Sequence, residues 1–111
     1  MLEYSATSVE VVADTDAGEG WVVFRWKHEL YGYDELRIFL DGHCSRRMPI
    51  HSGDGLPEFV ELRSDGIRLR FDPLLARKLM LEAEIDISFQ LSEDELWQLR
   101  RAVDYFDGAG D

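Results

Sequence analysis

The feature that most constrains the fold is the run from Glu58 to Gly108, whose pattern predicts a hairpin, a short helix, a strand and a capped helix. Asp65 and Gly66 separate two alternating apolar and polar runs, 59–64 and 67–71. An Asp-Gly pair favours a two-residue type I′ turn, because both central residues need positive φ and glycine adopts it freely. The sequence therefore predicts a hairpin that turns at Asp65 and Gly66.

The turn position also predicts the register of this hairpin. Leu62 is expected to face Leu69 on the apolar side, and Glu61 is expected to face Arg70 as a cross-strand ion pair. The other expected pairs are Val60 with Phe71, Ser64 with Ile67, and Arg63 with Arg68. The two arginines of the last pair repel one another, so a carboxylate is expected close to them.

A short helix is predicted after the hairpin. Asp72 is a favourable N-cap residue, and Pro73 suits the first helical position. The helix is expected to run to about Met80 and to bury an apolar side made of Leu74, Leu75 and Leu79.

The remaining pattern predicts one strand and a final helix. Apolar residues alternate with polar ones from Ala83 to Leu91, which is typical of a strand with one buried face. Ser92 and Glu95 match a capping box, with Leu91 and Leu96 placed as a hydrophobic staple. The helix is expected to bury Leu96, Leu99, Val103 and Phe106, to stop at Gly108 and to fray over residues 108–111.

The first half of the chain is less regular. Strands are predicted over 8–13, 21–27, 35–41 and 43–50, and loops over 14–20, 29–34 and 51–57. Leu36, Ile38 and Leu40 are expected on one face of their strand. The whole predicts one α+β domain over residues 1–111: a mostly antiparallel, curved sheet of about six or seven strands, with the short helix and a C-terminal helix packed on one face.

Composition agrees with one globular domain. The chain has 111 residues, of which 45% are hydrophobic, and its single cysteine excludes an intramolecular disulfide. No apolar run approaches the roughly 18 residues that a membrane span needs, and no N-terminal secretion signal is recognisable. A cytoplasmic location is therefore expected, with no contact to a membrane.

Charge is the second strong feature, because 23 acidic residues against 12 Lys and Arg give a net charge of −11. This charge opposes non-specific binding to nucleic acid, whose phosphates attract cations. It would attract a basic protein partner and accelerate association. The alternative interpretation is that the acidic charge only maintains solubility.

Residues capable of catalysis or metal binding form no convincing motif. Adjacent strand residues such as His43 and Cys44 point to opposite faces, so they cannot readily pair as base and thiol. His43, Cys44 and His51 lack the spacing of a zinc site. Asp14, Asp16 and Glu19 begin like a calcium loop, but the later ligands are missing. We therefore predict no catalytic residues, no metal and no cofactor.

Arginines and aromatic residues are ambiguous in the sequence. A basic strip on the exposed sheet face is one interpretation of Arg46, Arg47, Arg63, Arg68 and Arg70, and pairing with neighbouring Glu and Asp is the other. Some of Trp21, Trp26, Tyr31 and Tyr33 must belong to the core. Tyr31 and Tyr33 would be interface anchors if they lie exposed in a loop.

The stretch from Leu36 to Phe106 resembles the immunity protein 10 family of bacterial polymorphic toxin systems. The residues that carry the resemblance are Leu36-Arg-Ile-Phe-Leu-Asp-Gly, a Gly-containing loop, and the run from Phe59 to Phe71. They are followed by a helical Leu/Ala segment, Ile85-Asp-Ile-Ser-Phe and the acidic-capped last helix. The matching region covers about two-thirds of the chain, and its motifs are patterns of apolar and turn residues.

This resemblance implies a non-enzymatic antidote that binds and blocks a cognate toxin protein. Exposed acids and aromatics on predicted loops suggest where that partner binds: Asp14, Asp16, Glu19, Tyr31, Tyr33 and Asp34. Two alternatives remain open from the sequence. One is a general interaction domain or self-associating adaptor, which includes a homodimer, and the other is a small hydrolase that uses Cys44 or a histidine.

Overall fold

The computed structural model describes residues 2–30, 32–46 and 51–108 of the chain. Within these ranges the chain forms eight strands and two helices: β1 Leu2–Asp14, β2 Glu19–His28, β3 Gly32–Phe39, β4 His43–Arg46, β5 His51–Asp54, β6 Phe59–Arg63, β7 Gly66–Arg70, α1 Pro73–Lys78, β8 Glu84–Ser88 and α2 Glu93–Gly108. The α+β class is confirmed, with more strands than the six or seven expected. The predicted fraying covers residues 108–111, of which 109–111 lie outside the described ranges and Gly108 is the last residue of α2.

All eight strands belong to one sheet in the order β5-β4-β3-β2-β1-β8-β7-β6. The first five strands form an antiparallel meander. β6 and β7 form a hairpin, β7 pairs antiparallel with β8, and β8 runs parallel to the start of β1. β1 therefore joins the two halves of the sheet, and it is longer than the predicted strand over 8–13.

The chain connection after β5 requires the sheet to curl. β5 and β6 lie at opposite ends of the strand order, yet only residues 55–58 separate them in sequence. Five residues of extended chain reach at most about 18 Å. The two edges of the sheet must therefore approach one another, as the expected strong curvature requires.

The core lies on the concave side of this sheet, which we call the inner face. Alternate residues of β2 and β3, such as Phe24 and Ile38, contribute to one buried cluster. From α2 the predicted stripe packs against them, with Leu99, Val103 and Phe106 almost fully buried. The opposite, convex side of the sheet, here the outer face, carries Trp21, Arg25 and the other residues of alternate parity.

The β6–β7 hairpin corrects the predicted register. Leu62 pairs with Ile67 rather than Leu69, and Arg63 pairs with Gly66, so the turn residues are Ser64 and Asp65. Neither Asp65 nor Gly66 has positive φ, so the type I′ turn at these two residues was wrong. A side chain at position 66 would place its Cβ 2.8 Å from the Ile87 carbonyl oxygen. The glycine is needed for close approach to β8, and that requirement outweighs the turn preference.

The new register also changes the predicted charge pairs. Arg70 lies opposite Phe59, not Glu61, and its Nε is 3.9 Å from a carboxylate oxygen of Glu58. Val60 pairs with Leu69 rather than Phe71. The carboxylate expected near Arg63 and Arg68 is present, since Asp86 on β8 lies within ion-pair distance of both.

The helix α1 begins as predicted, because the Asp72 carboxylate accepts hydrogen bonds from the backbone N–H groups of Leu74 and Leu75. Leu75 and Leu79 are buried, but Leu74 is 68% exposed, so the expected apolar side is narrower. α1 packs on β5 at Gly53, where a Cβ would lie only 2.8 Å from a methyl group of Leu75. Because His51–Asp54 form β5, the predicted loop over 51–57 was wrong at its start.

The second cap is also as predicted. The backbone N–H of Ser92 donates to Glu95 Oε1 at 3.1 Å, and the Glu95 N–H donates to Ser92 Oγ at 3.2 Å. Leu91 and Leu96 both pack against the core beside this cap, as a staple requires. No described helix is both long and apolar enough to cross a membrane.

Candidate functional site

The acidic segment between β1 and β2 forms a tight turn that is held by its own first carboxylate. Asp14 Oδ1 accepts hydrogen bonds from the backbone N–H groups of Asp16 at 3.1 Å and Ala17 at 3.2 Å. Gly18 has φ +67°, and a Cβ there would lie 2.3 Å from the hydroxyl oxygen of Tyr105 on α2. The glycine therefore lets the turn lie directly against the last helix.

Helix α2 presents a large aromatic side chain beside this turn. Trp97 follows Leu96 in sequence, lies outside the buried stripe and is 59% exposed. The guanidinium carbon of Arg101 lies 5.1 Å from the centre of the Trp97 ring. Arg101 also donates to Thr15 Oγ1 at 3.2 Å, which ties the helix to the turn.

A groove runs between β1 and α2, and we call it the β1 groove. One cavity of about 390 Å³ lies at the turn, and an adjoining one of about 250 Å³ lies further back along β1. Val11 and Gln98 line both of them. The other lining residues come from β1, the turn and α2: Val9, Glu10, Ala13, Asp14, Thr15, Asp16, Leu91, Glu95, Trp97, Arg101 and Ala102.

The charge of the groove is dominated by carboxylates. Glu10 is paired with Arg25 at 3.3 Å, and Glu95 is held by the Ser92 cap. Across the described ranges, Asp14, Asp16 and Glu19 form no ion pair, and all three are exposed. Arg101 is the cation among the described lining residues, and it bonds Thr15 rather than a carboxylate, so a cation approaching the turn meets acids that form no described ion pair.

The remaining predicted partner-binding residues lie elsewhere. Tyr33 and Asp34 belong to β3 rather than a loop, and Tyr31 is outside the described residues. Tyr33 pairs with Lys27 near the far end of β2, eight residues from Glu19, which corresponds to about 26 Å along the strand. The six residues therefore do not form one surface.

Asp34 was wrongly predicted to lie on an exposed loop, because it is fully buried on the inner face. Its Oδ2 accepts from Arg46 Nη2 at 2.8 Å, and its Oδ1 accepts from the Glu35 N–H at 2.8 Å. Arg46 also donates to the Met80 carbonyl, which links β4 to the segment after α1. Burial raises the pKa of Tyr4, which is stacked on Trp26 with ring centres 4.4 Å apart. The hydrogen bonds of Arg46 therefore connect β3, β4 and the segment after α1.

The predicted basic strip is divided between faces and largely neutralised. Arg46 points to the inner face, and Arg47 lies outside the described residues. On the outer face Arg63 donates to both Asp86 oxygens, at 2.8 and 3.1 Å, and this bond raises the pKa of Arg63. Arg68 lies 3.7 Å from the same carboxylate. Pairing with neighbouring acids is thus the interpretation that the structure supports.

Cys44 is separated from His43, its neighbour in sequence, by the alternation of side chains along β4. His43 stacks on Phe39 on the outer face with ring centres 4.1 Å apart, whereas Cys44 is fully buried on the inner face. Its thiol donates to the Gly55 carbonyl at 3.4 Å. Burial raises the pKa of Cys44 to about 12. Since the thiolate is the nucleophile, this thiol is poorly suited to covalent catalysis near neutral pH.

A search of the described residues for three or more His, Cys, Asp or Glu side chains placed to hold a metal ion finds no such group. The first residues of the apparent calcium loop have another function. The Asp14 carboxylate uses Oδ1 to accept hydrogen bonds from the backbone of the turn.

Trp97 is the residue of this site that sequence reasoning missed. Its position in the sequence contains the signal, because a tryptophan one residue after Leu96 lies outside the Leu96, Leu99 and Val103 stripe. Large aromatic residues on the polar side of an amphipathic helix are candidates for partner contacts. Its proximity to the β1–β2 turn depends on tertiary structure and is not readable from spacing.

Comparison with protein-family models, curated proteins and solved structures found no match to this chain. The resemblance to the immunity protein family therefore stays a prediction.

Proposed function

We propose that this chain is a non-enzymatic immunity protein, which binds a basic toxin protein through the β1 groove and blocks its activity. The observation that carries the proposal is the groove itself, where exposed Trp97 lies beside carboxylates with no described counter-ion. The resemblance in the sequence from Leu36 to Phe106 supplies the class of partner. The proposed location is the cytoplasm of the cell that produces the toxin.

Long-range charge and a local apolar surface contribute to binding in different ways. The net charge of −11 attracts a basic partner over distances of about the 8 Å Debye length and accelerates the encounter. Trp97 then provides a rigid apolar surface, which is the type of residue that most often dominates binding energy at an interface. Inhibition requires only that the partner's active site be covered, so the inhibitor itself needs no catalytic group.

Co-expression with a candidate toxin domain, encoded beside this chain, tests the proposal through growth of the host cell. We expect the chain to restore growth and to copurify with the toxin domain in a one-to-one complex. A double variant, Asp16→Lys with Glu19→Lys, should lose both effects. A matched control, Glu3→Lys with Glu29→Lys, makes the same charge change at exposed sites away from the groove and should retain both.

Equal rescue by the two double variants would contradict the groove as the binding site. Failure of the unchanged chain to bind or rescue against any adjacent toxin domain would contradict the immunity function itself. Thermal unfolding of each variant must first show that the fold is intact.

A self-associating adaptor is the second candidate, and one observation favours it. β6 is an edge strand of the sheet and leaves one row of backbone groups without a neighbouring strand. Light scattering coupled to size exclusion distinguishes the two candidates. A concentration-dependent dimer that dissociates when Val60, on β6, is replaced by proline would favour the adaptor, and a monomer at all concentrations would contradict it.

A further inference from the structure

The central strand β1 is paired on both sides along only part of its length. Residues Leu2–Ser5 pair with Ile85–Ser88 of β8, whereas the residues from Ala6 to Asp14 pair with β2 alone. β8 ends at Ser88, and the chain then enters α2. Among the described residues, no strand continues beside β1 beyond Ser5. The middle of the sheet therefore contains a free strand edge of about seven residues.

Backbone polar groups along this edge point toward the β1 groove. In an antiparallel pair, alternate residues direct both N–H and C=O away from the partner strand. About three of the residues in 8–14 therefore present such groups on the side opposite β2. Among the described residues, no backbone hydrogen bond beyond the strand ladders involves residues 8–13. These groups are available to a further strand.

Cavities lie beside much of this edge. One of about 590 Å³ is lined by Ser5–Thr7, Phe89 and Gln90, and the two cavities of the β1 groove are lined by β1 and turn residues between Val9 and Asp16. The far wall is α2, which contributes Gln98 to both parts of the groove. An added strand would lie about 4.8 Å from β1, and α2, which packs against β1, would have to move outward to admit it.

We propose that the partner inserts an extended segment into the β1 groove as an additional strand paired with residues 8–14. The proposal deepens the proposed function and rests on it for the basic character of the partner. Val9, Val11 and Ala13 lie on one side of the edge, and Ser8, Glu10, Val12 and Asp14 lie on the other, where the two carboxylates favour basic side chains. The inserted segment therefore alternates apolar and basic side chains.

Charge complementarity distinguishes this occupant from a second copy of the chain. Pairing of two β1 edges would bring the Glu10 and Asp14 side chains of both copies together, and each copy carries a net charge of −11. Like charges at adjacent cross-strand positions destabilise a sheet. The β5 and β6 edges of the sheet suit a basic segment less well. α1 packs on β5, and β6 carries the cation Arg63.

Amide hydrogen exchange by NMR, on the full chain, tests the mode of binding. The probe is an acetylated and amidated peptide of about seven residues that alternates lysine and valine, which matches the length of the edge. We expect exchange to slow by about tenfold at alternate residues of 8–14, because their N–H groups become hydrogen-bonded. A peptide with N-methyl groups on alternate amides should bind about tenfold more weakly or not at all.

Protection at β6 instead, dimerisation through β1, or absence of binding by the lysine–valine peptide would each overturn the proposal. A steric variant gives a second measurement that does not disturb the core. Gln98→Trp places a large ring in the groove and should weaken the peptide by at least about tenfold. Arg100→Trp, also at an exposed position of α2 but outside the groove, should leave binding unchanged.

Strand insertion and the immunity function are contradicted by different outcomes. If the toxin domain is bound and growth is restored while residues 8–14 exchange at their original rates, strand insertion is wrong and the immunity function stands. If the peptide protects these amides but no adjacent toxin domain is bound, strand insertion stands and the immunity function is wrong.

Discussion

On the outer face of the sheet, Arg63 and Arg68 share the carboxylate of Asp86, whereas at the β1–β2 turn, beside the β1 groove, Asp16 and Glu19 have no described counter-ion. The two tryptophans differ in exposure. An arginine guanidinium lies over each ring, Arg37 at 5.5 Å from Trp21 and Arg101 at 5.1 Å from Trp97, but Trp21 is only partly exposed and Trp97 is 59% exposed. Charged residues of the outer face therefore pair with one another, whereas Asp16, Glu19 and Trp97 stay exposed.

This difference teaches that residue type alone does not mark a binding surface. The outer face is richer in arginines and aromatics than the groove, yet its charges are arranged as internal pairs between neighbouring strands. A partner would have to break those pairs to use the same groups, and it would lose their interaction energy. The groove requires no such exchange, which is why we assign binding there.

The largest expected effect on stability concerns the buried pair of Arg46 and Asp34. Arg46→Ala should reduce the free energy of unfolding by about 3–5 kcal/mol, because it removes the guanidinium that is hydrogen-bonded to the fully buried Asp34 carboxylate. Urea denaturation measures the loss. The double variant Asp34→Leu with Arg46→Met should recover most of it, since both charges are then removed. A loss below about 1 kcal/mol for Arg46→Ala would show that the buried pair is not held as described.

A smaller effect is expected for the charge pairs of the outer face. Asp86→Ala should cost about 1 kcal/mol, because Asp86 accepts two hydrogen bonds from an arginine that is one-third exposed and screened by water. A double-mutant cycle with Arg63→Ala isolates the pair, and 1 M salt should reduce its coupling energy. An unchanged unfolding free energy in Asp86→Ala would mean that these pairs do not stabilise the outer face.

Asp16 and Glu19 at the β1–β2 turn should have almost no effect on the free energy of unfolding. Asp16→Lys with Glu19→Lys is expected to change the free energy of unfolding by less than about 0.5 kcal/mol, since both side chains are exposed and unpaired. Any change should be favourable, because the substitutions reduce the net negative charge and its self-repulsion. Thermal unfolding at low salt checks this. A marked destabilisation would remove the contrast with Asp86 and indicate that the turn acids support the fold.

The sequence predicted elements that short-range rules determine. Asp72 with Pro73, and Ser92 with Glu95, begin their helices where expected because an N-cap depends on neighbouring residues only. Predictions failed where distant contacts decide. The hairpin turn moved because Gly66 must approach β8 closely, and β5 formed from the loop-like His51–Asp54 because β4 and α1 pack on it.

The candidate site was predictable in part for the same reason. The acidic turn follows from local sequence, and Asp14, Asp16 and Glu19 lie together at the end of the β1–β2 hairpin. Asp34 was misplaced because its burial depends on Arg46, twelve residues later in sequence. Trp97 joins the turn only because α2 folds back over β1. Spacing within the helix cannot reveal that meeting of distant segments.

The smallest expected effect concerns Glu95, a groove carboxylate that the fold does use. Hydrogen bonds from the Ser92 backbone and side chain hold its pKa below the ordinary value for glutamate. Because the folded state has the lower pKa, the stability that the charge contributes is present above the unfolded pKa of about 4.3 and is lost as pH falls through the folded pKa. Glu95→Gln keeps an acceptor for the Ser92 N–H but removes this charge.

The pH dependence of the difference between unchanged chain and Glu95→Gln is therefore the measurement. Chemical denaturation should show the unchanged chain to be more stable at pH 6, and the difference should shrink to nothing by about pH 3. Glu93→Gln, in the same first turn of α2, controls for attraction between any carboxylate and the helix N-terminus. A difference that is equal for the two variants, or that persists at acid pH, would mean that Glu95 acts through position in the helix and not through its bond to Ser92. In that case Glu95 belongs with Asp16 and Glu19 among the accessible charges of the groove.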